Sequence, residues 1–463
     1  MRDGEAPSRE QTEPRLKVVA MRPARPLRCS PFRAVLGGLL LVAGLQLLYL
    51  SLLPGLQGRG RRRGGGGGGG GGSPSHGLPD PEPERRRREL SRALEGGGQP
   101  DPSGRYRLYP DVSRAPVLSR RPRPGHVLGL ATHCSANNLH HLPGLVRRWR
   151  APLSLALFAT AADLPEALRA LHLLGLHCPG VRELVAFTLV TPARVPAAFP
   201  PGEAEPEEAQ AWDPDLESDL EPELPPPCRR ALRPVLRLRR RFANYGLANA
   251  SYPGNLLRNA ARRALPSRYV AVIDVDMLPS GGLHRRLLEL LSAAGPGPGP
   301  TVYVLPALEM RRSRRVPADK AELQRLYQVG EVRPFYGELC PRCHAPTNYS
   351  RWINLAAGPG LGVAYTLAWS DPWEPFYLGP RSVPPYDERF EQYGFNRISQ
   401  ACELHVAGYS FAVLDNAFLI HKGFKVAGEF HPQKDNENRH NRVLFRQFKQ
   451  ELKQKYPESP RRC

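Results

Sequence analysis

The sequence predicts an α/β fold, a mixed sheet sandwiched between helices, on three observations. Short apolar runs alternate with helix-length segments, the run Tyr269-Val-Ala-Val-Ile273 ends abruptly in Asp274-Val-Asp276, and Gly and Pro punctuate the joints. Runs of β-branched residues without polar alternation are strands covered on both faces, as in sheets flanked by helices. At 463 residues the chain can bury a large core, in one domain or two.

Ahead of any core element, residues 34–53 form an uncharged run of 20 residues. At about 1.5 Å per helical residue this crosses the roughly 30 Å hydrocarbon layer of a bilayer, so one transmembrane anchor is expected. Arg15, Lys17, Arg22, Arg25, Arg28 and Arg33 precede it, against Arg59, Arg61, Arg62 and Arg63 after it. This bias sets residues 1–33 in the cytosol and the rest in the lumen of the secretory pathway. Sequons at Asn249 and Asn348 fit a luminal side, as do seven cysteines beyond the anchor. An odd number leaves at least one without a partner in the chain. Cys340-Pro-Arg-Cys343 has no second Cys-x-x-Cys to complete a zinc site, so a disulfide staple is expected there.

Residues 54–125 read as a stem: 64–72 are unbroken glycine, and the remainder is rich in Pro, Arg and Glu. Such composition forms a flexible tether. The first hundred residues hold seventeen Lys and Arg against nine Asp and Glu, so much of the net charge of +21 belongs to tail and stem. No nucleic-acid module accompanies that charge, which argues against nucleic acid as a partner. A groove for an anionic sugar nucleotide or glycan accounts for the remainder.

The luminal domain, 126–463, opens β-α-β: a strand at 126–132, a helix near 137–149 and a strand at 153–158. A helix near 165–174 and a strand near 184–190 add the next unit. Residues 197–227, rich in Pro, Glu and Asp, read as an acidic surface insertion. A helix at 255–262 leads into the strand at 269–273, and a Gly-Pro loop at 295–300 precedes a strand at 301–305. Beyond residue 310 the chain is rich in Trp, Tyr, Phe and Gly, as expected of acceptor-binding loops.

Asp274 and Asp276 fall at the carboxyl end of their strand, where open α/β sheets hold ligands. Two residues apart on a strand they point the same way, so both can meet one Mn2+ or Mg2+ ion. The plainer alternative is two acids that end a strand and open a turn with Pro279, Gly281 and Gly282. A diphosphate leaving group gathers negative charge, which a cation and nearby ammonium groups stabilise. His421, after the apolar stretch 411–420, is a candidate third metal ligand, and Lys422 and Lys425 are candidates for the phosphates. Arg258 and Asn259, on the preceding helix, are candidate donor-binding residues. Asp387 and Glu388, in the aromatic-rich segment 385–397, are candidate bases for an acceptor hydroxyl. That segment also reads as a charged helix with Asp387 and Glu391 on a solvated face. Trp369, Trp373 and Phe376 are either a sugar platform or core.

Several longer motifs carry a resemblance: Ser251-Tyr-Pro-Gly-Asn-Leu-Leu-Arg-Asn259, Ala271-Val-Ile-Asp-Val-Asp-Met277, Gln328-Val-Gly-Glu-Val-Arg-Pro-Phe-Tyr336, Ala345-Pro-Thr-Asn-Tyr-Ser-Arg-Trp352, Asp371-Pro-Trp-Glu-Pro-Phe-Tyr377, Asp387-Glu-Arg-Phe390 and Gln392-Tyr-Gly-Phe-Asn-Arg397. Over roughly residues 100–463 the chain resembles the β-1,4-glucuronyltransferases of glycosyltransferase family 49, which are related to the second catalytic domain of the LARGE glycosyltransferases. The resemblance implies the GT-A fold, a Golgi enzyme of type II topology, UDP-glucuronate as donor and Mn2+ as cofactor. It further implies a xylose on the O-mannosyl glycan of α-dystroglycan as acceptor, with a product that LARGE extends. Asp274 and Asp276 match the family's metal-binding Asp-x-Asp, and His421 the late histidine of GT-A enzymes. A nearby variant on the same fold adds N-acetylglucosamine in β-1,3 linkage to lactosamine chains. Donor identity is not legible in these motifs, although Arg258, Arg333 or Arg351 could hold a glucuronate carboxylate. From another class of function, an idle glycan-binding scaffold of this fold stays open; the two retained carboxylates speak against it.

Overall fold

The structure, a computed structural model, describes residues 82–119, 127–198, 224–233, 235–236, 250–293, 299–426 and 431–463. The expected anchor at 34–53, the cytosolic tail, the glycine run, the sequon asparagine Asn249 and most of the acidic insertion lie outside them. Among the described residues no helix is long and apolar enough to cross a membrane.

The fold begins earlier than the composition suggested. Helix α1 (Glu82–Glu95) is Arg-rich, yet it turns Leu90 and Leu94 into the core. Strands β1 (Gln99–Pro100) and β2 (Tyr106–Ser113) come next, and β2 lies antiparallel to a core strand. The stem expected to reach residue 125 therefore gives way to structure at Glu82. Two inward leucines after a run of four arginines leave too faint an apolar stripe for composition to reveal.

Three strands form the heart of the sheet: β3 (Leu128–Ser135), β4 (Leu153–Phe158) and β5 (Val185–Pro192). All are buried along almost their whole length, which is why their sequences run apolar without alternation. They pair in parallel, and β6 (Tyr269–Val272) joins the free side of β3 with Leu130 opposite Ala271. Helices α2 (Leu142–Trp149) and α3 (Leu164–His177) make the first crossovers, and α4 (Gly254–Arg263), buried along nearly its full length, packs beside β3 and β4 before the chain enters β6.

From β6 the chain changes sheet. Strand β7 (Met277–Pro279) belongs to a four-stranded sheet of order β10-β9-β14-β7, with β9 at Ala307–Met310, β10 at Val332–Pro334 and β14 at Leu419–Lys422. Helix α5 (Leu283–Ala293) separates β7 from β8 (Thr301–Leu305). The large sheet is completed by β11 (Val363–Leu367), β12 (Phe376–Pro380) and β13 (Ser410–Leu414), giving the order β1-β2-β5-β4-β3-β6-β12-β8-β13-β11. Because β12 runs antiparallel between β6 and β8, the sheet is mixed. This is a mixed α/β fold of the GT-A-like kind, as expected.

Helix α6 (Asn396–Val406) and the long α7 (Lys434–Lys455) close the fold. Disulfides join Cys178 to Cys228, Cys340 to Cys343 and Cys402 to Cys463, while Cys134 is a buried free thiol. The expected staple at Cys340 and Cys343 is present. Trp369, Trp373 and Phe376 lie in the core, with the Trp373 indole N–H donating to Thr347 Oγ1 at 3.1 Å. They are packing residues, each fully buried large side chain contributing about 1.5–3 kcal/mol.

Candidate active site

Asp274 and Asp276 occupy the crossing between the two sheets. β6 ends at Val272, and the Met277 N–H donates to the Asp274 carbonyl (3.0 Å), so the residues between form a turn. Strand alternation no longer governs them, and the two carboxylates contact different partners.

Asp274 faces cations. Arg258 Nη2 lies 3.0 Å from its Oδ1 and Arg397 Nη1 lies 2.6 Å from its Oδ2, with His133 Nε2 at 3.4 Å. Burial by itself would raise the Asp274 pKa, but Arg397 and Arg258 hold it well below the ordinary carboxylate range. Burial and Arg258 in turn depress His133, keeping the imidazole neutral, and its Nδ1 shares a hydrogen with Tyr252 Oη at 2.7 Å.

Asp276 faces His421 Nε2 at 3.3 Å and Lys425 Nζ at 3.8 Å, and these hold its carboxyl low against the opposing effect of burial. His421 Nδ1 lies 2.7 Å from the Gly423 carbonyl oxygen, which can only accept. That bond fixes a proton on Nδ1 and aims Nε2 at Asp276. Gly423 has φ +98°, a backbone state that disfavours any side chain, and an added Cβ would stand 3.3 Å from Arg312 Nη2. Fully buried Glu309 accepts from the Lys425 N–H (3.0 Å), from Arg333 Nε (2.9 Å) and from the Tyr336 N–H (2.6 Å), fixing the loop that carries Lys425.

Among the described residues no three His, Cys, Asp or Glu side chains gather into a ready-made metal cage. Asp276 and His421 instead offer one carboxylate and one imidazole nitrogen side by side. Hard divalent cations in nucleotide sites commonly take one or two protein ligands and complete their shell with substrate phosphates and water. The donor set fits Mn2+ or Mg2+ arriving with a diphosphate, with Lys425 beside it as phosphate partner. Asp274, gripped by two guanidinium groups, belongs to the other half of the cluster.

The remaining candidates scatter. Asn259 clamps the segment after β12: it donates to the Tyr386 carbonyl and Glu388 Oε1 and accepts from the Tyr386 N–H, all within 2.9 Å. Asp387 is paired with Arg389 at 2.5 Å, which also holds Glu451, and Glu388 also lies 3.6 Å from Arg263. The segment is irregular rather than the alternative charged helix, since α6 starts only at Asn396. Lys422 comes directly after His421 on β14 and so turns to the opposite side, where it lines a cleft with Arg148 and Arg315. Of the three arginines considered for a carboxylate, Arg258 stands in the cluster, Arg333 binds Glu309 and Glu338, and Arg351 lies 4.2 Å over the Tyr365 ring. Asn348 is exposed and its Oδ1 accepts from the Arg351 N–H (3.1 Å) at the head of a short helix.

Three cluster members escaped sequence reasoning. His133 lies near the end of β3, the strand beside β6, and that adjacency was the available signal for it. Arg397 opens α6 and bridges Asp274 to Glu374, its Nη2 lying 3.4 Å from Glu374 Oε2 and its guanidinium 4.2 Å from the Phe376 ring centre. Glu374 precedes β12 and is 16 % exposed; burial raises its pKa, Arg397 offsets part of the rise and Asp274 adds to it.

Residues 127–457 match the model of a family described as "Glycosyl-transferase for dystroglycan". The chain belongs to this family. The match runs from just before β3 to just past α7 and contains every member of the cluster. β-1,4-Glucuronyltransferase 1 of Danio rerio is 49 % identical over 445 residues, covering 94 % of this chain and 99 % of that protein. The protein of the same name from Homo sapiens is 50 % identical over 377 residues, 81 % of this chain and 85 % of its own. Xylosyl- and glucuronyltransferase LARGE1 of Homo sapiens is 33 % identical over 204 residues, 44 % of this chain and 26 % of that one. Membership makes the chain a glycosyltransferase, with a UDP-sugar donor and a glycan acceptor.

Proposed function

We propose that the chain transfers glucuronate from UDP-glucuronate, in β-1,4 linkage and with inversion, to xylose on the O-mannosyl glycan of α-dystroglycan. The product is a primer for a LARGE-type enzyme, and the catalytic domain sits in the Golgi lumen behind the anchor at 34–53. The division of labour between the two aspartates carries this reading: Asp276, His421 and Lys425 suit a metal-bound diphosphate, while Asp274, Arg258 and Arg397 suit a polar, acidic sugar. The names of the similar proteins support the donor.

Asp276 and His421 would hold Mn2+, which when bound supplies Lewis-acid stabilisation of the leaving diphosphate. Lys425 adds a fixed positive charge where negative charge develops. Arg258 is assigned to the sugar carboxylate, since its planar fork can bind one carboxylate while touching another. In the transfer, the acceptor hydroxyl oxygen bonds to the sugar C1, the bond from C1 to phosphate oxygen breaks, and the hydroxyl proton passes to a base. Glu374 suits that role better than Asp387 or Glu388: those two are held in ion pairs with Arg389 and Arg263, whereas Glu374 adjoins Asp274 through Arg397 and has the raised pKa of a carboxylate able to take a proton.

The test is donor consumption by the full chain with a panel of UDP-sugars, with xylose-terminated and lactosamine acceptors in parallel, with and without Mn2+. Turnover of UDP-glucuronate is expected. Turnover of UDP-N-acetylglucosamine alone would select the lactosamine variant, and none with any donor would select the scaffold.

A further inference from the structure

We propose a second anion-binding site on this chain, a basic cleft on the far side of β14 from Asp276, that takes an acidic oligosaccharide bearing carboxylates or sulfates. The cleft has a volume of about 640 Å3, within the range of small-ligand sites. It is built from four separate segments: Arg147 and Arg150 at the end of α2, Arg285 on α5, Arg314 and Arg315 after β9, and Lys422 on β14. None of the described residues that line it is a carboxylate. Arg285 and Arg314 do carry acidic partners, Glu289 and Glu331, but neither is part of the lining.

Three features set this cleft apart from an ordinary solvated basic face. The charges converge from distant segments into a concavity, where the field of each reinforces the others. The floor is fixed, because Arg148 donates to the Pro279 carbonyl (3.1 Å) and the Val316 carbonyl (2.7 Å), tying α2 to β7 and to the arginine loop. The cations are nearly all arginine, whose fork matches carboxylate and sulfate in two parallel bonds, whereas a lysine offers a point charge. A concave site of this kind suits a narrow chain of acidic sugars; a bilayer favours a protruding face. Strand alternation keeps the cleft apart from the donor, since His421 faces Asp276 and Lys422 faces the cleft. Binding there is independent of the transfer reaction.

The test titrates the full chain and an Arg285→Ala/Arg314→Ala/Arg315→Ala variant with three probes: a heparin hexasaccharide, a hyaluronate hexasaccharide and phosphatidylserine vesicles. Basic residues at 59–63 and 85–88 attract anions too, so the readout is the difference between the two proteins. Affinity for one or both hexasaccharides is expected to fall roughly tenfold in the variant, because three exposed charge contacts, each individually weak, are lost together. Loss with heparin alone assigns sulfate, and loss with both assigns carboxylate. Equal hexasaccharide binding by the two proteins, loss confined to vesicles, or displacement of the oligosaccharide by UDP would each overturn the proposal. Unchanged melting of the variant is the control for folding.

Discussion

Arg397→Met removes one guanidinium that serves two carboxylates. In the native chain its nitrogens lie 2.6 Å from Asp274 and 3.4 Å from Glu374, and Arg397 is itself only 12 % exposed. Methionine fills much of the same volume without charge. Breaking a buried ion pair costs about 3–5 kcal/mol, because the partner left behind keeps its desolvation without its compensation. Two features place this case at the lower end. Asp274 retains Arg258 at 3.0 Å, and Glu374, whose pKa is already raised by burial, can take a proton instead of staying charged. The expected loss is about 3 kcal/mol at pH 7, read from urea unfolding followed by tryptophan fluorescence. The loss should shrink at pH 5, since a raised carboxyl costs stability as pH rises through its ordinary range and stops costing once protonated. Arg397→Lys should fall between, because an ammonium can reach one carboxylate well but not both. A loss below about 1 kcal/mol, or one that is the same at both pH values, would refute the claim that Arg397 balances two buried acids.

Asp276→Asn should lower turnover on the order of 10² to 10³ while leaving the fold intact, checked by initial rates beside circular dichroism; Asp274→Asn should weaken donor binding as well. His344 is buried and its pKa is depressed from 6.5 to about 3 by burial and Arg397. The unfolded chain therefore gains a proton there that the folded chain refuses, and stability should fall as pH drops from 6.5 towards 3, by about 1.4 kcal/mol per unit. His344→Gln should flatten that slope in urea melts taken across the window. Cys402→Ser opens a ring of sequence separation 61, so on the loop-entropy relation it should lower stability by about 4 kcal/mol, read from urea unfolding of the variant beside the native chain.

How much of the molecule was legible depends on which residues act locally. The strand at 153–158 was readable because burial on both faces leaves a nearly unbroken apolar run, and that at 301–305 because Val302, Val304 and Leu305 are buried in a short β-branched stretch after a Gly-Pro loop. Asp274-Val-Asp276 was readable because it interrupts such a run. The separate duties of its two acids were not, because they depend on a change of sheet between Val272 and Met277 that no local pattern encodes. Glu374 and Arg397 are ordinary charged residues until α6 is laid beside the end of β6. Helix α1 was hidden for the opposite reason: its composition is that of a tether, and only Leu90 and Leu94 say otherwise.

Strand β14 has a neighbour on each side, antiparallel β7 with His421 opposite Met277 and parallel β9 with His421 opposite Glu309. It is therefore indexed twice, and a one-residue slip would have to break both ladders at once. Such a slip would exchange the two faces of the strand: the ammonium of Lys422 would meet Asp276, and the imidazole would turn into the arginine cleft. The metal site proposed above would become a simple ion pair without the loss of a single residue. The identity of this centre thus resides in the counting of a four-residue strand as much as in the histidine itself, and insertions or deletions between Leu414 and Leu419 are where the centre is most easily lost.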